Sequence, residues 1–439
     1  MRISKEISAL TVAGTVSGEL EAIASKSHVH RLLMAAALAD APTRILCASS
    51  SADIEATMRV LTGLGAKFTV SDGAIVVSPI TALTQGGTLN CGESGTTLRF
   101  MLPIVAALGA DAGLVAEGRL VERPLSPLYE ELVAHGIALS AAGSVPLSVK
   151  GKLTNGDYKV AANVSSQFVG GLLYALSILP GVSTLTLTET IESRHYISMT
   201  LDVLRAFGAQ IETDEGLRHY RIVGRERLVT PRTVRAEGDW SNAAFWLCAG
   251  ALKKEMTVSN LKGDSLQGDR ALLDILARFG AEVSMQGVDT VRVKAAPLKA
   301  QTIDAQHIPD LVPVLAITAA FAQGETHFTH IARLRIKESD RVASTLALLG
   351  ALGVKARSDE DNLWVMGGGA RVQCAAISSF NDHRIVMAAA VAAHAAEVAV
   401  TITEPSAVNK SYPTFFEAWT ALGGSLELPN VHCAQKDKE

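Results

Sequence analysis

The chain has 439 residues, 48% of them hydrophobic, and a formal net charge of −4. That length exceeds one ordinary hydrophobic core, so two domains are expected, and the charge excludes a nucleic-acid binder that works through bulk positive potential. Five scattered cysteines (Cys47, Cys91, Cys248, Cys374, Cys433) form no C-x-x-C pair and make an odd total, which fits free thiols in a reducing compartment and neither a disulfide framework nor a zinc site.

Along the chain, Met1-Arg2-Ile3-Ser4-Lys5-Glu6 shows no apolar signal region and no transit character. The longest apolar runs, such as Ile385 to Ala393, fall short of the ~18 residues a membrane span needs. A soluble, cytoplasmic protein without a membrane partner is therefore expected. The first element is a polar start running into an apolar body: Ser25-Lys26-Ser27, then Leu32-Leu33-Met34. The same pattern returns at Ser94-Gly95-Thr96-Thr97, Ser165-Ser166-Gln167, Asp239-Trp240-Ser241-Asn242, Pro309-Asp310 and Asn381-Asp382-His383-Arg384. Each reads as a buried helix whose first turn alone faces water or a ligand. Such a turn carries unpaired N–H groups and the positive end of the helix dipole, which suit an anion.

A second pattern alternates with the first: a helix stopped by glycine and followed by an extended run. The stops fall at Gly65, Gly136, Gly208, Gly280, Gly353 and Gly423, with successive spacings of 71, 72, 72, 73 and 70. One such glycine has an ordinary explanation in the left-handed end of a helix; six at near-constant spacing make the chain six copies of one unit. Strands are expected at Ala74–Val77, Thr184–Thr188, Tyr220–Val223, Thr290–Val293 and Val398–Ile402, from alternation and β-branched content. The polar stretch Arg221 to Glu237, with Pro231, is the expected crossing between two domains of three units each. Six helix starts converging on one cleft would suit a ligand with several negative groups.

Cations sit at or near these starts: Lys26, Arg31, Arg99, Arg123, Arg384 and Lys410, with the densest run at Arg333-Leu334-Arg335-Ile336-Lys337-Glu338-Ser339-Asp340-Arg341. In isolation that run reads as a solvated helix face with Lys337 and Arg341 on one stripe; the repeat favours a functional reading. His28 and His30 would face different ways on a helix, which disfavours a metal pair, and His383 would simply help cap one. No nucleotide-binding glycine fingerprint, nucleophile elbow or metal-spaced His/Cys cluster is present. What remains is an anion site without metal, with two acids, Asp310 and Glu338, among cations.

Lys26-Ser27-x-x-x-Arg31, Ser94-Gly95-Thr96 with Arg99, Glu122-Arg123-Pro124, Ser165-Ser166-Gln167, Ser193-x-x-Tyr196, Gln267-Gly268-Asp269, Pro309-Asp310, Lys337-Glu338-x-Asp340-Arg341, Asn381-Asp382-His383-Arg384 and Lys410 occur in the order seen in one family. Over essentially its whole length the chain resembles the EPSP synthase (3-phosphoshikimate 1-carboxyvinyltransferase) family of the shikimate pathway, which leads to the aromatic amino acids. The resemblance implies an α/β fold of two hinged domains, each of three βαβαββ units, of the enolpyruvyl transferase inside-out α/β barrel type. The domains would span residues 22–237, and 1–21 plus 238–439. The implied reaction transfers the enolpyruvyl group of phosphoenolpyruvate to the 5-hydroxyl of shikimate 3-phosphate through a tetrahedral intermediate, with no cofactor and no metal. The protein is expected to act as a monomer on these two small molecules.

Carried over by motif, Ser165, Ser166 and Ser193 hold the shikimate phosphate, Ser27 and Arg31 the ring carboxylate, and Tyr196 lines the same shikimate 3-phosphate site. Lys26, Gly95, Arg123, Gln167, Arg341, Arg384 and Lys410 take phosphoenolpyruvate; Lys26 and Gln167 border shikimate 3-phosphate as well. Asp310, with Lys337 beside it, holds the substrate hydroxyls and acts as base, Glu338 is the acid, and Lys26 and His383 complete the catalytic set. Two positions depart from the best-known members: Glu93 stands where they carry Asn, and Arg333 where a shikimate-phosphate contact is often Asn. Gly95 occupies the position that sets glyphosate sensitivity in the family. Rival readings are the sister enzyme that uses UDP-N-acetylglucosamine, and a non-catalytic anion-binding protein on the same fold. Counting back from Arg123-Pro124 to the sister's cysteine position lands on Gly118.

Overall fold

The computed structural model describes residues 3–428 apart from Ala48, Asp72 and 370–373; Cys433 lies outside the described residues, as does the side chain of Cys374. Its α-helices are α1 (Lys26–Ala37), α2 (Ala52–Gly63), α3 (Gly95–Leu108), α4 (Leu128–Ala134), α5 (Ser166–Ser177), α6 (Arg194–Ala206), α7 (Trp240–Leu252), α8 (Leu272–Phe279), α9 (Val312–Ala320), α10 (Arg341–Ala351), α11 (His383–Ala396) and α12 (Phe415–Ala421). Two kinds alternate, for different physical reasons. Helices α3, α5, α7, α9 and α11 are apolar nearly all round, as buried helices require, and α1, which also carries Lys26, His28, His30 and Arg31, is like them buried along almost its whole length. Others are amphipathic: α8 buries Leu272, Ile275, Leu276 and Phe279, one face at helical spacing.

Five of the six buried helices start behind a side-chain cap. Ser25, Ser94 and Ser165 accept from His28, Thr97 and Gln167 N–H, and Asp239 and Asp382 from Asn242 and Arg384 N–H. The exception is α9. Leu311 occupies the cap position of α9 with no side-chain bond and a proline follows in the first turn, so Asp310 is not a cap and its carboxylate is taken elsewhere. All six glycines at the periodic stops have positive φ, from 71° at Gly353 to 115° at Gly65, the backbone that glycine adopts without a Cβ clash.

The strands form six four-stranded sheets. In a typical one, Asp157–Ala161 runs parallel to Gly181–Thr188, which pairs antiparallel with His219–Gly224, itself antiparallel to Gln210–Thr213. A buried helix links the two parallel strands and an amphipathic one leads to the hairpin, giving βαβαββ. Two sheets exchange their first strand: Gly18–Glu21 pairs with Glu255–Ser259, and Thr233–Arg235 with Thr43–Leu46. The last sheet, built on Cys374–Ser378, Ala399–Thr403 and Ser425–Glu427, is completed by Ala9–Ala13 from the start of the chain.

The chain divides into two compact units, Ala24–Glu237 with Leu266–Gly268, and the remainder. The first begins two residues later than expected, because Ala22 N–H bonds Ser259 O and extends the pairing of Gly18–Glu21 in the other unit. The crossing is also narrower than the expected Arg221 to Glu237: Arg221 lies inside the strand His219–Gly224, and the chain leaves the unit only after Glu237. Each unit has its own core. In the Ala24–Glu237 unit α3 and α5 meet at Gly170 and Gly171. A Cβ on Gly170 would lie 2.4 Å from Phe100 Cζ, and one on Gly171 2.8 Å from the Arg99 carbonyl, so the Gly-Gly pair sets how closely the two helices approach. No helix among the described residues is long and apolar enough to cross a membrane.

Candidate active site

In the Ala24–Glu237 unit, the starts of α3 and α5 are stitched together by one amide. Gln167 accepts through Oε1 from Arg99 Nη1 at 3.0 Å and donates through Nε2 to Thr96 Oγ1 at 2.9 Å. Arg99 also donates to the Pro124 carbonyl at 3.1 Å and lies over the Phe168 ring. The next residue before that carbonyl, Arg123, packs on Gly95: a Cβ there would sit 2.9 Å from Arg123 Nη1. Glu93 turns toward Gly118, where an added Cβ would meet its Oε2 at 2.8 Å. Ser165 caps α5, Ser166 is its first residue, and both are buried.

On the α1 side, Arg31 is 2% exposed and donates to Thr200 Oγ1 (2.8 Å), Ser27 O (2.7 Å) and Tyr196 O (3.1 Å), with its guanidinium over the Phe100 and Tyr196 rings. Burial lowers its pKa to about 10, with Tyr174 and Tyr196 opposing. Lys26 pairs with Asp53 Oδ2 at 2.7 Å. Ser193 stands buried at the cap of α6 with φ of 50°, a left-handed conformation that a serine adopts only at a cost. His28 and His30 do point apart: His28 Nδ1 accepts from Glu237 N–H, while His30 Nδ1 bonds Thr57 Oγ1.

The other unit gathers the acids. The run from Arg333 to Arg341 is not one helical stripe: Ala332–Ile336 is a 3-10 turn, Lys337 is extended, and Asp340 caps α10, whose first residue is Arg341. Arg341, 1% exposed, donates through Nη1 to Asp310 Oδ1 (2.5 Å), through Nη2 to Glu338 Oε2 (2.7 Å) and through Nε to Asp382 Oδ2 (2.8 Å). Burial works against its charge, but Asp382, Glu338 and Asp310 hold its pKa well above the ordinary value. Arg384 reaches Asp310 Oδ2 at 3.4 Å and donates to the Ser241 carbonyl at 2.8 Å. Burial alone would raise Asp310, yet Arg384, Arg341 and Lys337 outweigh it and keep this carboxyl well below the usual range. Lys337 moves the other way: burial, helped by Arg333 and Arg341 and opposed by Asp310, brings its pKa down to about 7. Lys410 Nζ donates to Asn381 O at 2.6 Å, and buried His383 opens α11 behind its cap Asp382.

The sequence-predicted residues thus form two groups. Lys26, Ser27, Arg31, Gly95, Arg123, Ser165, Ser166, Gln167, Ser193 and Tyr196 lie in one unit, and Asp310, Lys337, Glu338, Arg341, His383, Arg384 and Lys410 in the other. Residues without a predicted role hold them in place: Asp53, Thr96, Arg99, Thr200 and Asp382. Arg99 and Asp382 stand inside quoted motifs, so their signal was present; Thr200 carries none in the sequence.

Across known proteins, the chain matches the family described as EPSP synthase (3-phosphoshikimate 1-carboxyvinyltransferase) over residues 10–419. The chain belongs to the EPSP synthase family. A relative named 3-phosphoshikimate 1-carboxyvinyltransferase, from Clostridium kluyveri, is 37% identical over 416 residues, covering 94% of this chain and 96% of its own. One of the same name from Clostridium beijerinckii is 35% identical, covering 95% and 98%. Among solved structures, EPSP synthase from Acinetobacter baumannii superposes with a TM-score of 0.79 at 24% identity, over 95% of this chain and 99% of that one. The enolpyruvyl transferase NikO from Streptomyces tendae gives 0.73 at 21%, over 95% and 98%. These two likenesses speak for the fold, which is the two-domain α/β architecture of EPSP synthases.

Proposed function

We propose that this protein transfers the enolpyruvyl group of phosphoenolpyruvate to the 5-hydroxyl of shikimate 3-phosphate, yielding 5-enolpyruvylshikimate 3-phosphate and phosphate, and that it does so in the cytoplasm as a monomer. The observation that carries the reading is the Asp310 carboxylate, kept ionised by Arg341 and Arg384. Asp310 orients the acceptor hydroxyls and takes the 5-hydroxyl proton as that oxygen bonds to C2 of phosphoenolpyruvate. Glu338, taking up a proton as phosphoenolpyruvate claims Arg341, delivers it to the C3 methylene, completing the tetrahedral adduct. Glu338, now a carboxylate, takes a methyl proton back, and the C–H electrons re-form the C=C bond as phosphate departs with the C–O electrons.

In the same reading, Ser165, Ser166 and Ser193 take the shikimate phosphate, Tyr196 lines the acceptor site, Lys337 adds charge on the acceptor, and Ser27 and Arg31 hold its carboxylate. Arg123, Arg341, Arg384, Lys26 and Lys410 take the carboxylate and phosphate of phosphoenolpyruvate with Gln167 and the Gly95 N–H. Guanidinium forks suit bidentate oxyanions and ammonium groups supply point charge; His383 and Lys26 complete the catalytic set. The test is phosphate release from purified protein mixed with phosphoenolpyruvate and shikimate 3-phosphate, run beside UDP-N-acetylglucosamine as acceptor. Turnover is expected with shikimate 3-phosphate only. Turnover with the sugar nucleotide alone, or with neither, overturns the reading, and so does an Asp310→Ala enzyme at full rate, since general-base removal costs ~10²–10⁴.

A further inference from the structure

Asp269 is a carboxylate with no assigned part in the chemistry, yet it is only 3% exposed. It is the second residue of the 3-10 turn Gly268–Ala271 before α8, in the Gln267-Gly268-Asp269 motif. Burying a carboxylate is costly unless a bond or a charge compensates. Among the described residues the group that hydrogen-bonds it is Ser241, whose Oγ donates to Asp269 Oδ2 over a short distance. Ser241 is the second residue of α7, and its backbone carbonyl accepts from Arg384 Nη1 at 2.8 Å. Arg384 also lies over the ring of Phe245, one turn further along α7, and its other nitrogen, Nη2, reaches Asp310 at 3.4 Å. The first turn of α7 is thus clamped by Asp269 on one side and used by Arg384 on the other.

We infer that Asp269 is a positioning residue: through Ser241 it fixes the α7 carbonyl that aims Arg384 at phosphoenolpyruvate. The electrostatics agree with this placement, since burial and Asp310 push the Asp269 carboxyl up to about 7 while the Ser241 bond and Arg384 pull it back. The inference rests on the reading of Arg384 as a phosphoenolpyruvate ligand.

The test uses full-length protein carrying Asp269→Ala, Ser241→Ala, both together, and Asp269→Asn, which keeps an acceptor for the serine hydroxyl. Ser241→Ala leaves the carbonyl that Arg384 uses in place. Each alanine variant is expected to raise the KM for phosphoenolpyruvate about tenfold, the scale of one charge-assisted hydrogen bond. KM for shikimate 3-phosphate should change less than about twofold, the double variant should be no worse than the poorer single one, and Asp269→Asn should stay near wild type. Unchanged phosphoenolpyruvate KM in the alanine variants, with only a lower Tm, means a structural role and overturns the inference. Additive effects in the double variant also overturn it. Should Asp269→Ala not fold, Ser241→Ala with Asp269→Asn decides between the same outcomes. A wild-type enzyme without turnover defeats the functional reading and this inference together, whereas an active wild type with indifferent variants defeats the inference alone.

Discussion

Lys337 and Asp310 show how one neighbourhood drives two charges apart. Asp310 sits among guanidinium groups and stays ionised across the working range, so it contributes no titration near neutrality. Lys337 shares the burial but has cations on its flank, and its pKa falls to about 7. A lysine lowered this far loses its proton, and with it the charge that the proposed reading places on the acceptor, as pH rises through about 7. The free enzyme's kcat/KM for shikimate 3-phosphate should therefore decline above that pH, since this parameter reports the unliganded enzyme's groups. Lys337→Arg, which cannot deprotonate in this range, should flatten that limb in a pH-rate profile; a limb that persists unchanged assigns the titration elsewhere. Sequence reading placed Asp310 among cations but gave no sign of the lowered Lys337. The pattern Lys-Glu-x-x-Arg fits a helical stripe equally well, and only the 3-10 turn ending at Ile336 shows that Lys337 and Arg341 lie on different elements.

At the level of elements, the start of α11 carries the greatest demand. Asp382 is fully buried, caps the helix through Arg384 N–H, and accepts from Arg341 Nε and from Ser339 Oγ at 3.0 Å. Asp382→Ala removes a cap worth ~1 kcal/mol and one of three carboxylates around a buried guanidinium, so a loss of about 3 kcal/mol is expected. Urea unfolding at unchanged m-value measures it, and a loss below about 1 kcal/mol would reduce Asp382 to an ordinary cap. The buried helices were legible because an apolar body after a Ser or Asp start has few other solutions in water. Pro309-Asp310 does lead into the buried helix α9, but Leu311 takes the cap position and leaves the carboxylate to Arg341 and Arg384. The close approach of α3 and α5 was hidden, since Gly170-Gly171 names a site of contact only once Phe100 is seen against it.

Across the whole chain, six glycine stops gave the number of units, yet periodicity could not reveal that two of the sheets trade their first strand. That exchange has a measurable consequence. Residues 24–237 retain all strands of three sheets, including Thr233–Arg235, so this fragment should unfold in one cooperative calorimetric transition and sediment as a single species. A fragment of residues 1–237 should behave worse, because Ala9–Ala13 and Gly18–Glu21 lack the strands they pair with and present open edges for association; equal solubility of the two would count against this account of the fold. The same pairing bears on biosynthesis. Ala9–Ala13 leaves the ribosome ahead of its neighbour Ala399–Thr403 by most of the chain. At roughly 5–20 residues per second it waits on the order of 20–80 seconds. For that interval the nascent polypeptide trails an uncommitted ribbon, a natural point of engagement for a chaperone.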